Sequence, residues 1–193
     1  MTNVLFVCSG NICRSPTAAA LLAASLGGRN DEIVVTSAGT LDLHQPSPEE
    51  VIAAAAELGA QITAHTSHRF TAEDLAVADL IVGMAREHVR EVVLAQPSVF
   101  SRTFTLPELV RRGHAVGRRG RLETLGDWLG RVHEGRRHAD LLGRSDEDDI
   151  PDPMGGPRRE YRTSATLIAR LVDELITLAW PDLPRLEGSV SGR

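Results

Sequence analysis

The sequence contains no lysine, and all 21 of its basic side chains are arginines. Aromatic residues make up only 4% of the chain, and the formal net charge is −5. Proteins that bind nucleic acid are usually basic overall and carry aromatic side chains among the basic ones. The composition therefore argues against this class, and we expect no nucleic-acid partner.

Cysteines and long apolar runs are also scarce. Two cysteines in 193 residues, Cys8 and Cys13, are too few for a disulfide scaffold and predict a reducing compartment. No run approaches the roughly 20 apolar residues of a membrane span, and the first one is too short for a signal peptide. We expect a cytoplasmic protein without a membrane partner. The histidines lack metal-ligand spacing, so no metal or cofactor is expected.

Short β-branched runs alternate with helical patterns and predict the fold class. The predicted strands are 4–7, 33–36, 80–82 and 99–105; helices are predicted to begin at Pro16 after an N-cap at Ser15, at Pro48 after an N-cap at Ser47, and near Thr71, Ala85 and Arg158. This rhythm is typical of a single α/β domain with a four-stranded parallel sheet and helices on both faces. We expect the domain to cover 1–180, with a turn at 27–31 and a loose tail at 181–193.

Residues 106–147 interrupt the rhythm. They predict a short helix beginning at 106–110, a loop at 113–120, and a helix at 122–133 with Leu125, Trp128, Leu129 and Val132 on one face. Ten of the 21 arginines lie between Arg102 and Arg144. Two interpretations stay open for this inserted segment: a solvated helical decoration, or a platform for a partner or substrate.

The stretch from Val4 to Thr17 reads as a buried strand, a tight loop and a helix start. Backbone N–H groups of such a loop and of a helix N-terminus converge on one point and form an anion site. Cys8 lies at its mouth, where these groups and Arg14 would favour a nucleophilic thiolate. The Arg14 guanidinium can hold two oxygens of a phosphoryl group. The stretch is therefore predicted to be the active site, with a phosphate-sized loop.

These residues also carry a family resemblance. The run Cys8-Ser-Gly-Asn-Ile-Cys-Arg-Ser-Pro16 resembles the signature of the bacterial low-molecular-weight protein tyrosine phosphatases. The stretches 37–40, 64–84 and 152–156 follow in that family's order. The resemblance implies a phosphatase acting through a cysteinyl-phosphate, with a phosphorylated protein or small aryl phosphate as substrate and a tyrosine kinase as partner.

The resemblance also assigns site residues. Cys8 would be the nucleophile, Arg14 the phosphate clamp and Asp152 the general acid and base. The phosphate-binding set would be Ser9, Gly10, Asn11, Ile12, Cys13, Arg14 and Ser15, and the loop-supporting set Asn11, Ser15, Ser37 and His65. Cys13 would either be a small buried hydrophobe or form a reversible disulfide with Cys8.

The sequence departs from this family where the substrate ring would be held. The family often has aromatic residues in two loops that here contain Leu43 and His44, and Met154. A wall of these three residues would stack less well on phosphotyrosine. Two other functions stay open: an arsenate reductase coupled to a small thiol, and a phosphate-binding regulatory module without turnover.

Overall fold

One parallel sheet organises the computed structural model, which describes residues 1–27, 32–62 and 64–181. Its strands are β1 Thr2–Cys8, β2 Ile33–Gly39, β3 Leu80–Gly83 and β4 Thr103–Thr105, in the order β2-β1-β3-β4. The helices are α1 Arg14–Ser25, α2 Glu49–Glu57, α3 Ala72–Val77, α4 Arg86–Ala95, α5 Leu106–Val116, α6 Leu125–His133 and α7 Arg158–Ala179, with 3-10 helices at Pro97–Arg102 and His138–Leu141.

The central strand β1 shows how the sheet is covered. Val4 and Phe6 point into a large core formed with α1, α5, α6 and α7. Leu5 and Val7 point to the opposite face and pack with residues of α3 and α4. A strand buried on both faces is apolar throughout, which is why β1 shows no polar alternation. The predicted fold class, with helices on both faces, is confirmed.

The fourth strand is shorter than predicted. Residues 99–102 of the expected strand belong to the 3-10 helix Pro97–Arg102, and Thr103–Thr105 pair with β3. Pro97 fixes the start of this helix, and the Thr103 hydroxyl donates back to the Val99 carbonyl at 2.8 Å. These local bonds, together with the proline, oppose an extended backbone.

Two predicted N-caps are wrong. Helix α1 begins at Arg14 after Cys13, and the Ser15 hydroxyl lies near the Cys8 thiol instead of capping the helix. Helix α2 begins after Pro48, and the buried Ser47 hydroxyl makes no hydrogen bond within the described chain. The predicted start near Thr71 is confirmed, with a capping box between Thr71 and Asp74.

Residues 106–147 are not a solvated decoration. Trp128, Leu129 and Val132, on the predicted apolar face of α6, are buried in the core beneath β1. Helix α5 continues through Gly113, where the predicted loop was to begin, and the loop starts at Gly117. A Cβ at Gly113 would lie about 3 Å from Leu178 and Trp128, so this glycine lets the three helices approach closely.

Two regions predicted from the sequence lie largely outside the described residues. They are the turn at 27–31, of which only Gly27 is described, and the tail at 181–193, of which only Pro181 is described. Within the ranges given above, no helix combines the length and apolar content needed to cross a membrane.

A buried ion pair fastens the segment after α6 to the sheet. The Arg136 guanidinium donates to both Glu108 carboxylate oxygens, at 2.7 and 3.2 Å, and to the carbonyls of Phe100 and Thr103. Its planar group also lies 4.0 Å from the ring centre of Phe104. Because every charge and donor here has a partner, the pair can be buried at acceptable cost.

We predict that Arg136→Ala lowers the free energy of unfolding by about 3–5 kcal/mol, because it leaves Glu108 buried without its partner. Arg137→Ala is the matched control: its side chain is 79% exposed and pairs with Asp140 at the surface, so about 0–1 kcal/mol is expected. Urea unfolding at pH 7 measures both. Similar losses for the two variants would contradict the assigned role of the buried pair.

Candidate active site

The 8–15 loop connects the carboxyl end of β1 to the first turn of α1. Cys8, Arg14 and Ser15 are each at most 4% exposed, so the loop is packed into the body of the protein. The N-terminus of α1 points its free N–H groups and positive dipole end toward the space enclosed by the loop. The predicted strand, anion-sized loop and helix start are therefore present in the fold.

Asn11 holds the loop in shape. Its backbone is left-handed, with φ of 52°, and its side chain is fully buried. The side-chain amide donates to the hydroxyls of Ser15 and Ser37, at 3.0 and 2.9 Å, and its oxygen accepts from the His68 N–H. The Asn11 carbonyl accepts from His65 Nε2 at 2.6 Å. Asparagine tolerates this conformation better than most residues, and these bonds offset the remaining strain.

The end of β2 explains part of the 37–40 motif. A Cβ at Gly39 would lie 2.8 Å from the Ser9 carbonyl oxygen, closer than a side chain can approach. The Ser9 carbonyl accepts hydrogen bonds from Thr40 and Leu41, each at 3.0 Å. Glycine is therefore required where β2 meets the loop. The structure thus brings together all four predicted loop-supporting residues.

The two cysteines have different surroundings. Cys8 Sγ accepts from the Asn11 N–H at 3.2 Å and lies 3.0 Å from the Ser15 hydroxyl. Burial raises the pKa of the Cys13 thiol to about 12, the charges of Asp152 and Cys8 add to the rise, and Arg14 opposes it. Cys13 therefore stays a thiol, and its Sγ lies 3.9 Å from Met154 Sδ.

Arg14 joins this loop to a second one. Its guanidinium donates to an Asp152 carboxylate oxygen at 2.7 Å and to the Ile150 carbonyl at 3.1 Å. The Arg14 side chain is 5% exposed, whereas that of Asp152 is 47% exposed. The predicted phosphate clamp and general acid thus meet at the opening of the loop, although 138 residues separate them.

Asp148 anchors this second loop, residues 145–152. Its buried carboxylate accepts from Arg86 at 2.7 Å and from Arg111 at 2.9 Å. Asp149 accepts from the Arg86 backbone N–H at the start of α4, and the Ile150 N–H donates to the Met84 carbonyl. The loop that carries Asp152 is therefore tied to β3, α4 and α5.

The predicted substrate wall is only partly assembled. Leu43 packs on Gly10, where an added Cβ would be 3.1 Å from its Cδ1. Met154 lies beside Cys13, and its side chain is held near the Tyr161 hydroxyl at 3.8 Å. His44 is different: its ring is 70% exposed and pairs with Asp42 at 3.0 Å. Among the described residues, no hydrogen bond or ion pair joins His44 to the 8–15 loop.

His88 is a site residue for which the sequence predicted no role. It lies in α4, is 1% exposed, and its Nε2 is 2.9 Å from the Ser9 hydroxyl oxygen. Burial lowers its pKa to about 3, and the charge of Arg14 contributes. No spacing signal could reveal it, because the contact joins residues 79 positions apart. Among the described residues, no group of three or more His, Cys, Asp or Glu side chains could hold a metal ion.

Fold and site together define a class: a parallel α/β protein with a Cys-x5-Arg anion loop after its first strand. The family model for low molecular weight phosphotyrosine protein phosphatases matches residues 3–117. Because this match covers more than half of the 193 residues, the chain belongs to that family.

Curated relatives agree. Low molecular weight protein-tyrosine-phosphatase Etp from Escherichia coli is 36% identical over 102 residues, 52% of this chain and 66% of that protein. Low molecular weight protein-tyrosine phosphatase A from Mycobacterium tuberculosis is 42% identical over 91 residues, 46% of this chain and 55% of that protein. The chain thus spans just under two thirds of the first relative and about half of the second.

Solved structures cover more of the chain. The low molecular weight protein tyrosine phosphatase from T. tengcongensis has a TM-score of 0.68 and 28% identity, covering 91% of this chain and 98% of that one. The YwlE arginine phosphatase from Geobacillus stearothermophilus has a TM-score of 0.66 and 27% identity, covering 91% and 90%.

We predict that Asp148 contributes to stability in a pH-dependent way. Burial alone would raise the pKa of this carboxyl, but hydrogen bonds from Arg111 and Arg86 and their charges hold it below its usual range. A depressed pKa means that the stabilisation is complete above the unfolded value, near pH 4, and is lost as pH falls through the folded pKa. Asp148→Asn should therefore cost about 1.5–3 kcal/mol at pH 7 and less below pH 4.

Urea unfolding of wild type and variant between pH 3 and pH 7 measures this difference. Asp146→Asn is the control, since Asp146 is exposed in the same loop and should show little effect at any pH. A cost of Asp148→Asn that does not change with pH would rule out the ionic anchor.

Proposed function

We propose that this chain is a phosphatase that hydrolyses aryl phosphate monoesters, with phosphotyrosine on proteins as the substrate class, through a cysteinyl-phosphate intermediate. One observation carries the proposal: Cys8, the converging N–H groups of the 8–15 loop, Arg14 and Asp152 share one opening. This set contains a nucleophile, an oxyanion site and a proton donor. Family membership supports the same reaction.

Cys8 is the proposed nucleophile. The Asn11 N–H and the Ser15 hydroxyl can both donate to a Cys8 thiolate, in the attack and again when the sulfur leaves. The high pKa of Cys13 makes that thiol a poor competitor. We also propose a reversible Cys8–Cys13 disulfide as an oxidation product, since the two cysteines lie five residues apart in one loop.

In the first step the Cys8 sulfur attacks phosphorus and the bond to the aryl oxygen breaks. Asp152 gives its proton to that oxygen, so the phenol leaves neutral. In the second step Asp152 takes a proton from water, the water oxygen attacks phosphorus, and the S–P bond breaks to restore the thiolate. Inorganic phosphate is the second product.

Arg14 must change partners during this cycle. Its guanidinium now donates to Asp152, whereas its planar fork suits two phosphoryl oxygens. A bound phosphoryl dianion would compete with the carboxylate for Arg14 and free Asp152 to carry a proton. The 47% exposure of the Asp152 side chain leaves it room to turn toward the leaving group.

A second candidate substrate is phosphoarginine, as the YwlE relative is described as an arginine phosphatase. One observation favours it. A cavity of about 700 Å³ adjoins Arg14 and Asp152, and it is lined by the carboxylates of Glu87 and Asp146 as well as by Arg90 and Arg144. Carboxylates suit a cationic guanidinium, and the wall of Leu43 and Met154 lacks the aromatic ring that would stack on phosphotyrosine.

The two other functions fit less well. Cys8 and Cys13 both lie in the loop, so the chain has no cysteine outside it for a thioredoxin-coupled disulfide relay, and arsenate reduction would have to be coupled to a small thiol. A regulatory module without turnover would not need Asp152 beside Arg14. We also propose a cytoplasmic location and a tyrosine kinase as partner. The domain is proposed to cover 1–180, with an insertion at 106–147.

We predict that Cys8→Ser reduces hydrolysis of p-nitrophenyl phosphate to below a few per cent, because a serine hydroxyl is a much weaker nucleophile than a thiolate. Cys13→Ser is the matched control and should keep at least about half the activity at early times. Steady-state rates and circular dichroism of both variants measure this. Equal losses in the two variants would remove the assignment of Cys8.

We predict that Asp152→Asn slows phenyl phosphate at least about tenfold more than p-nitrophenyl phosphate, because only the poorer leaving group needs a proton in the transition state. Asp149→Asn is the control, since Asp149 already accepts backbone N–H groups of Arg86 and Ser145. Equal losses of kcat on both substrates would assign the proton donor elsewhere.

We predict that Met154→Tyr lowers KM for a phosphotyrosine peptide several-fold, since an added stacking wall contributes about 0.5–1.5 kcal/mol. A phosphoarginine peptide should not respond. Leu122→Tyr, at a position 99% exposed, is the control. Comparing kcat/KM of wild type on the two peptides decides between the substrate classes, and faster phosphoarginine turnover would overturn the phosphotyrosine assignment.

A further inference from the structure

His88 and Ser9 form a contact that the mechanism above does not use. His88 is almost fully buried in the first turn of α4, and Ser9 directly follows the nucleophile in the loop. The ring Nε2 lies 2.9 Å from the Ser9 hydroxyl oxygen. A buried polar contact to a catalytic loop requires an explanation, because burying a ring nitrogen and a hydroxyl costs free energy unless they are satisfied.

The surroundings indicate which ring nitrogen carries the hydrogen. His88 Nδ1 is buried and has no hydrogen-bond partner in the described chain. Buried N–H groups without acceptors are rarer than unpaired acceptors, so the lone pair belongs on Nδ1. The Glu87 carboxylate lies 3.5 Å from Nε2 and also favours a hydrogen there. Nε2–H therefore donates to Ser9.

The ring must also stay neutral. A second proton would place an unpaired N–H at Nδ1 and add a positive charge in the field of Arg14. Burial and Arg14 lower the pKa of His88 to about 3, which agrees with this geometry. His88 can therefore support the loop across the physiological pH range without changing its charge.

The bond leaves the Ser9 hydroxyl with a hydrogen of its own to donate. The Ser9 carbonyl is already fixed by Thr40 and Leu41, so backbone and side chain are both held. Resting on the phosphatase function proposed above, we propose that the Ser9 hydroxyl donates a hydrogen bond to the phosphoryl group and that His88 is its positioning residue. The fixed hydroxyl then adds a neutral donor to the charged clamp of Arg14.

A mutant cycle tests the pair. Ser9→Ala and His88→Leu should each lower kcat/KM for p-nitrophenyl phosphate roughly tenfold, because each removes or misdirects one donor to a charged group. The double variant should also lose roughly tenfold, since the two residues act as one unit. Losses that multiply to about a hundredfold would overturn the proposal, and so would full activity of Ser9→Ala.

A conservative substitution of His88 distinguishes a role in positioning the Ser9 hydroxyl from a role in packing the core. His88→Gln places an amide N–H near the original Nε2 and should recover activity to within about threefold of wild type, whereas His88→Leu fills the space without a donor. Thermal unfolding of both is measured alongside. If Gln and Leu lose activity equally, in proportion to their stability, His88 only fills the core. His138→Leu, a histidine stacked on Phe100, is the distant control.

Phosphate binding keeps this test independent of turnover. The Kd of inorganic phosphate, measured by calorimetry, should rise roughly tenfold in Ser9→Ala and His88→Leu, with the same non-additivity. If wild type binds phosphate with this pattern but hydrolyses no ester, the phosphatase function fails and the Ser9–His88 assignment stands. Unchanged phosphate affinity in both variants would overturn the assignment.

Discussion

The site depends on one buried amide. The Asn11 side chain joins the start of α1, the end of β2 and the 65–68 segment through Ser15, Ser37 and His68, and the Asn11 carbonyl adds a bond from His65. A loop whose N–H groups converge cannot satisfy those groups within itself. It must therefore be held open by bonds made through side chains and carbonyls.

The second constraint is the position of Asp152, the proposed general acid, beside the 8–15 loop. Asp152 lies in an irregular segment, and only a fixed frame can keep it within 2.7 Å of Arg14. Asp148 provides this frame through Arg86 of α4 and Arg111 of α5. Helix α5 lies in the segment predicted to be an insertion, so this segment supports the site by holding the loop that carries Asp152.

Much of the fold and site followed from the sequence, for physical reasons. The apolar run of β1, the anion loop and the amphipathic helix α7 are local patterns, and residues 4–17 contain both Cys8 and Arg14. The misplaced cap at Ser15 and the shortened β4 have a common cause. Hydroxyls and turns there are used by tertiary contacts or local bonds that propensity does not include.

What the sequence could not show are contacts between distant residues. His88 reaches Ser9 only because β3 lies next to β1, which places the start of α4 beside the loop. The exposed position of His44 depends on its own backbone, which is left-handed, with φ of 51°, in an irregular loop. Neither follows from spacing or composition. The strand order of the sheet determines the contact between His88 and Ser9, and the path of a single loop determines the exposure of His44.

The absence of lysine has a structural counterpart in how the arginines are used. Arg112 donates to the carbonyls of Val132 and Glu134 at the end of α6. Arg131 bonds the Val116 carbonyl at the end of α5 as well as Glu123, and Arg119 bonds the Ala179 carbonyl at the end of α7. Each fork supplies donors to helix ends whose last carbonyls have no partner within the helix.

A lysine ammonium could neutralise the same carboxylates, but its compact charge on a flexible stem lacks the planar geometry that lets one guanidinium bond two separate groups. Arg112, Arg119 and Arg131, three of the ten arginines between 102 and 144, therefore hold α5, α6 and α7 together. A platform for acidic partners would need those donors free. These three arginines are accounted for by the helix ends that they bond, whereas Arg118, Arg121 and Arg144 are exposed, so the interpretation of this segment as a platform for a partner or substrate stays open.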